Sequence, residues 1–414
     1  MSVEPLSQPR RSPGQLLPII KGLLAVIGLF IAVSGGLSGL LVGLSMLLNP
    51  AAAGLDTATV GVALAALSVG LGGALAWQAG RSLFRRPTAR FWLPPLGLLL
   101  LLYGLVLAAG QGLISFELLP MLTFPPFHVV GAVLPPLIVL AFVGRAFAAA
   151  NFRWREVIVH LAGGAFLSTS LALVLELMGG LVVVIVVIAG MALTPGGLAG
   201  LDALLANLQN PAWLENPDNL TELLAFPPVW ITGAVVFIVL APLIEELVKG
   251  LGVMAMSYRR PTLPQVFLWG VAAGAGLGLM ENLFNTITNL DAWALVMLMR
   301  LGATLMHCLT TGLLAMGWQR WRAGRRVTHF LGAYGLSVLI HALWNGLIVG
   351  MVGSALFAAN SVTDLTQTLG GGAAVLLLSL LALFFGGLIA AMVIITRRLR
   401  GQIIPSSLRS VGTS

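Results

Sequence analysis

Residues 228–256 read PVWITGAVVFIVLAPLIEELVKGLGVMAM, a run long and apolar enough to span a bilayer that nevertheless carries Glu245, Glu246 and Lys249 within five positions. A helix of this length is at home only in lipid, where each ionised side chain is a cost to be explained. The rest of the chain has the same character. Of its 414 residues 58% are hydrophobic and 9% charged, and the mean hydropathy is +1.00. These values exclude a soluble globular domain and predict an all-α polytopic membrane protein.

Apolar segments mark ten spans, at 16–48, 58–80, 91–112, 127–149, 157–192, 228–256, 265–288, 293–318, 329–352 and 370–396. The first is too long for a signal-peptide core and is read as a retained span. The fifth is read as one tilted or kinked helix rather than two short ones divided at Gly179 and Gly180, because two would reverse every later charge cluster.

The net charge of +8 would suggest nucleic acid in a soluble protein, but here its placement matters more than its sum. Arg10, Arg11 and Lys21, then Arg81, Arg85, Arg86 and Arg90, then Arg145, Arg153 and Arg155 lie in alternate loops or at the span ends that border them. The alternation continues with Arg259 and Arg260, with Arg320, Arg322, Arg325 and Arg326, and with Arg397, Arg398, Arg400 and Arg409. The other loops hold Asp56, Glu117, Asp202, Glu215, Asp218, Glu222, Asp291 and Asp364 and no basic residue. The positive-inside rule then places both termini in the cytoplasm, and no nucleic-acid partner is expected. Trp92, Trp154, Trp269, Trp293 and Trp318 near span ends are expected to be interfacial anchors. The single cysteine, Cys308, excludes an internal disulfide and a cysteine metal cluster, and reads as a small buried residue.

Buried polar residues are unevenly distributed. The first half offers only Glu176 in mid-span, with His128 and His160 close to span starts. Spans six to nine carry Glu245, Glu246, Lys249, Glu281, Arg300, His307 and His341. The chain therefore divides at the external acidic loop 193–227, rich in proline and carrying the amphipathic stretch LAGLDALLANLQN. This gives a five-span region 1–220, a four-span core 228–352, and a tenth span with a basic cytoplasmic tail, 353–414. No internal repeat of the kind common in transporters is seen.

Five ionised residues in spans six to eight would cost on the order of 10 kcal/mol if each stood alone, so they must compensate one another or meet water or metal. Helical spacing permits this. Lys249 lies four residues from Glu245 and three from Glu246, between Pro242 and Gly250, where an opened helix can admit water. Gly270, Gly274 and Gly278 share a face of the seventh span with Asn282, which is suited to close helix approach, and Glu281 and Asn285 lie beside it. Arg300, Thr304, His307 and Thr311 form a stripe on the eighth span, and Ser337, His341 and Asn345 form one on the ninth.

Glu281, His307 and His341 can supply the three protein ligands of a catalytic zinc, leaving a position for water. One of Glu245 and Glu246 can then act as general base while the other pairs with Lys249 or Arg300, since neighbours on a helix point about 100° apart. Asn345 can donate to a developing oxyanion or make an interhelical hydrogen bond. No HExxH, GxSxG or pair of intramembrane aspartates is present. The alternative function is a proton- or cation-coupled transporter built on the same Glu/His/Lys/Arg cluster, which would need an aqueous path to both faces.

EELVK at 245–249, MEN at 280–282, His307 after Arg300, and HALWN at 341–345 together resemble the PrsW family of intramembrane proteases. That family is related to the CPBP group, which includes CAAX prenyl-protein proteases. The resemblance covers about 228–352. It implies an endopeptidase of a bacterial cytoplasmic membrane that cuts membrane-bound protein substrates, anti-sigma factors among them. Glu245, Glu246, Glu281, His307 and His341 are the implied catalytic or metal-binding residues, and related proteases have also been discussed as glutamate-based enzymes that need no metal.

Overall fold

The structure, a computed structural model, describes residues 16–48, 54–195, 197–214, 216, 219, 223, 226–256, 261–285, 290–359 and 363–403. Arg10, Arg11, Glu215, Asp218, Glu222, Arg259, Arg260 and Arg409 of the charge pattern lie outside them. Ten helices among the described residues are long and apolar enough to cross a membrane: Pro18–Met46, Leu55–Leu83, Leu96–Ser115, Pro120–Ala146, Trp154–Ala192, Pro227–Met256, Leu263–Asn285, Trp293–Arg322, Thr328–Ala359 and Asp364–Ile403. They are numbered here as the first to tenth spans. No strand occurs among the described residues, so the chain is all-α, as a lipid-embedded backbone that must satisfy its own hydrogen bonds requires. Leu177, Val186 and Leu383 are among the many large apolar side chains left exposed for lipid.

The seventh span is the central pole of the bundle. Its most apolar window is 89% buried, against 6% for the first and fifth spans. Small residues make this enclosure possible. An added Cβ at Gly270 would lie 2.5 Å from the Thr311 carbonyl oxygen, and one at Gly278 would lie 3.3 Å from Thr304 Oγ1. Gly274 lies directly against the backbone of His307 and Cys308. On the opposite side, Gly276 abuts Leu161 and Ala165, and Gly164 abuts the Ala273 carbonyl. The seventh span is thus clamped between the eighth and the fifth. The amphipathic stretch forms the helix Gly197–Leu208.

Widened π-turns occur in three spans, one of them at Ser68–Gly72 in the second span. The fifth has one at Gly163–Ser168 and then runs through Gly179 and Gly180 without a break. The sixth has one at Val236–Leu240, directly ahead of Pro242, whose missing N–H already interrupts the ladder there. Beyond it, Ala241–Lys249 is regular helix ending at Gly250.

Two tryptophans expected at the interface belong instead to the packed interior. Trp293 is fully buried beside Phe124, and its indole N–H donates to His128 Nδ1 at 3.0 Å. Trp269 stacks on His160 and donates to Glu156 at 3.1 Å. A buried indole needs an acceptor for its N–H, and each of these has one inside the bundle.

Candidate active site

The sixth, seventh, eighth and ninth spans bring their ionisable residues together. Lys249 is fully buried, and its ammonium lies 2.6 Å from Glu246 Oε1 and 3.7 Å from Glu245 Oε2. Both contacts follow from the helical spacing of three and four residues. Glu246 Oε1 also accepts from His341 Nδ1 at 2.9 Å and from Thr310 Oγ1 at 3.2 Å. One carboxylate oxygen therefore ties the sixth span to the eighth and the ninth.

His307 is held on both ring nitrogens. Nδ1 lies 2.8 Å from the Lys249 ammonium and Nε2 lies 2.8 Å from Glu281 Oε2. An ammonium only donates, so Nδ1 is the acceptor and Nε2–H donates to Glu281. The His307 and His341 rings meet edge to face, 4.9 Å between centroids.

Glu281 Oε2 also pairs with Arg300, whose Nε donates to Asn282 Oδ1 at 2.9 Å. Asn282 Nδ2 in turn donates to the Ala132 carbonyl at 3.1 Å and to Thr304 Oγ1 at 3.2 Å, linking the fourth span to the site. Each cation is thus matched to a carboxylate, which offsets much of the desolvation cost of burying them.

The cluster also gathers three side chains that could hold a metal ion. One ligand atom each from Glu245, His307 and His341 lies within 4.8 Å of the others, and all three residues are buried. Glu245 Oε2 is shielded from solvent without a hydrogen-bond partner among the described residues. Two imidazoles and a carboxylate are a donor set that zinc accepts, with ligand atoms about 3.4 Å apart around the ion, so modest side-chain rotation closes the group. The residues present therefore fit a metal ion. The expected ligand set and this group share both histidines and differ in the carboxylate. Glu281 stands behind His307 as its hydrogen-bond acceptor, while Glu245 stands with the two rings.

Asn345 is joined to a different feature. Its Nδ2 donates to the Phe237 carbonyl at 2.8 Å, within the π-turn of the sixth span, and no hydrogen bond links it to the cluster. Thr310 was not singled out from the sequence, although it lies three residues beyond His307 on the same face. The neighbouring Thr311 turns back to the His307 carbonyl at 2.8 Å. Ser337 Oγ donates to the Thr310 carbonyl at 2.9 Å, fixing the ninth span against the eighth.

No curated protein and no solved structure matches the chain. One family model does match, over residues 152–365, from the start of the fifth span to the beginning of the tenth. That stretch is more than half of the chain and contains every residue of the buried cluster. On this match, and with a buried Glu/His/His group able to hold an ion at its centre, the chain belongs to the PrsW family of intramembrane metalloproteases.

Proposed function

We propose that the chain is a zinc-dependent endopeptidase that hydrolyses a peptide bond of a membrane-bound protein substrate, with residues 228–352 as its protease core. The observation that carries this reading is the convergence of Glu245, His307 and His341, from three spans, on one buried point. These three side chains would hold the ion. When bound, zinc would activate a water and polarise the scissile carbonyl.

The remaining residues act around that point. Glu246 and Glu281 each accept the N–H of one imidazole and so set which ring nitrogen faces the ion. The Glu281 side chain is 21% exposed, against 10% for Glu245 and none for Glu246, so it is the carboxylate best able to take a proton from a reacting water. Arg300 holds the Glu281 carboxylate in place, and Lys249 compensates Glu246. Asn345 acts at a distance by holding the π-turn that sets the rotation of Glu245. The second reading keeps Glu281 as ligand and gives the base role to Glu245 or Glu246.

The alternation of basic loops supports cytoplasmic termini in a bacterial cytoplasmic membrane, and a regulatory membrane protein such as an anti-sigma factor is the substrate class that the family suggests. Family membership favours proteolysis over ion-coupled transport.

The test combines metal analysis of purified protein with cleavage of a single-span reporter, with and without chelator. Glu245→Gln, His307→Ala and His341→Ala should lose both metal and cleavage, while Glu281→Gln should keep metal and lose cleavage. Metal loss in Glu281→Gln but not in Glu245→Gln would establish the second reading. Cleavage at the wild-type rate by all four variants would end the proteolytic assignment, and full activity in chelator would end the role of metal.

A further inference from the structure

Glu176, in the middle of the fifth span, takes no part in the network described above, yet its helix is packed on the span that carries Glu245. Ser168 Oγ donates to the Val248 carbonyl at 3.2 Å, Ala172 is buried, and an added Cβ at Gly179 would lie 2.7 Å from Leu240 Cδ2. Residues 168, 172, 176 and 179 fall on one helical face. Glu176 is therefore turned toward the sixth span, between its contacts at Leu240 and Val248, while Leu175 and Leu177 on either side are exposed. The segment of the sixth span between Leu240 and Val248, against which this face is laid, is the one that carries Glu245.

Among the described residues Glu176 has neither a hydrogen bond nor an ion pair, and its Oε1 is shielded from solvent. The nearby cations are already engaged, Lys249 by Glu246 and His307, Arg300 by Glu281 and Asn282. The group that can hold an ion consists of Glu245, His307 and His341 without Glu176. A carboxylate oxygen without a donor at bilayer depth is costly. Among the described residues nothing donates to this oxygen, which leaves the position open to a donor from outside the chain. A membrane helix opened for cleavage has the complementary need, because its freed N–H groups have no water to donate to.

Resting on the reading of the cluster as a proteolytic centre, we propose that Glu176 is a substrate-binding residue of that centre, its carboxylate accepting hydrogen bonds from backbone N–H groups of the unwound segment beside the sixth span. The protein is reconstituted in liposomes with a single-span reporter. Glu176→Leu should raise KM about tenfold with kcat, metal content and thermal midpoint near wild type, whereas Glu176→Gln, which keeps a carbonyl acceptor, should stay within about threefold. An unchanged KM in Glu176→Leu overturns the proposal. A loss confined to kcat, or loss of metal, overturns it as well, by moving Glu176 into the chemistry or the metal shell.

A second readout needs no turnover. Glu176→Cys in a Glu245→Gln background is cross-linked to single cysteines placed along the reporter span, the native Cys308 being fully buried. Cross-links confined to the few positions around the cut site are expected, and their absence at every position refutes the contact. A wild type that leaves the reporter intact counts against the proteolytic reading, and a Glu245→Gln protein that cuts it counts against Glu245 as a ligand; in either case the cross-link pattern decides the role of Glu176 alone.

Discussion

The Lys249 ammonium lies 2.8 Å from Nδ1 of His307, on the lone pair of a nitrogen that is 4.0 Å from Glu245 Oε2. A divalent ion held by Glu245 and His307 would compete for that lone pair. Lys249 has a second acceptor in Glu246, at 2.6 Å, to which it can remain bonded when it gives up the imidazole. The sixth span thus carries its own counter-ion for the site.

Removing that ammonium leaves Glu246 buried and uncompensated. Lys249→Met is expected to lower unfolding stability in detergent by about 3–5 kcal/mol, while Glu246→Gln with Lys249→Met should lose much less than the two single changes added together. Thermal or denaturant unfolding of the four proteins measures the coupling. Strict additivity would mean that the two side chains do not act as a pair.

The two imidazole-orienting carboxylates allow a graded test. Glu246→Gln keeps a carbonyl to accept from His341 Nδ1 but removes the charge beside Lys249 and the ring. Metal affinity is expected to fall about 10–100-fold, less than the loss from His341→Ala. Titration of the apo-protein with zinc, read by competition with a chelating dye, gives the ratio. Equal affinities for wild type and Glu246→Gln would limit Glu246 to a structural role.

Close packing of the seventh span on the eighth fixes where His307 sits. Gly274→Ala puts a methyl group against the His307 backbone, so the two helices must separate. A stability loss of about 1–3 kcal/mol and a drop in cleavage of about tenfold or more are expected together. Gly252→Ala is the control, since nothing lies within 4 Å of its added Cβ. Equal behaviour of the two variants would show that the helix approach does not position the imidazole.

The sequence reveals much of this arrangement because lipid imposes strict rules. Span number follows from the length of apolar runs, and the collection of Glu245, Glu246, Glu281, His307 and His341 in one place follows from the cost of leaving any of them alone. Helix rotation is less accessible. Which glutamate joins the histidines depends on phase, and the π-turn at Val236–Leu240 shifts that phase by the one extra residue it accommodates. The same uncertainty separates Thr310, which reaches Glu246, from Thr311, which bonds back to its own helix. Depth in the bundle is hidden for a related reason. Hydropathy does not distinguish an interfacial tryptophan from Trp293, whose burial depends on Gly110 and Gly131 making room for its ring from two other spans.

Trp293 also lies in a polar network separate from the chemistry. His128 Nε2 donates to the Leu283 carbonyl at 3.1 Å and Nδ1 accepts from the Trp293 indole, so a neutral imidazole bridges the fourth, seventh and eighth spans. His128→Leu strands a buried N–H and a buried carbonyl and should cost roughly 2–4 kcal/mol of stability. Trp293→Phe removes the indole donor in advance, so adding His128→Leu to it should cost less than in the wild-type background. Because no atom of His128 bonds to the Glu245 cluster, cleavage per folded molecule should stay close to wild type in His128→Leu. Unfolding curves and reporter cleavage on the same preparations separate the two effects. A fall in kcat at unchanged thermal midpoint would mean that His128 belongs to the catalytic machinery rather than to the frame that holds it.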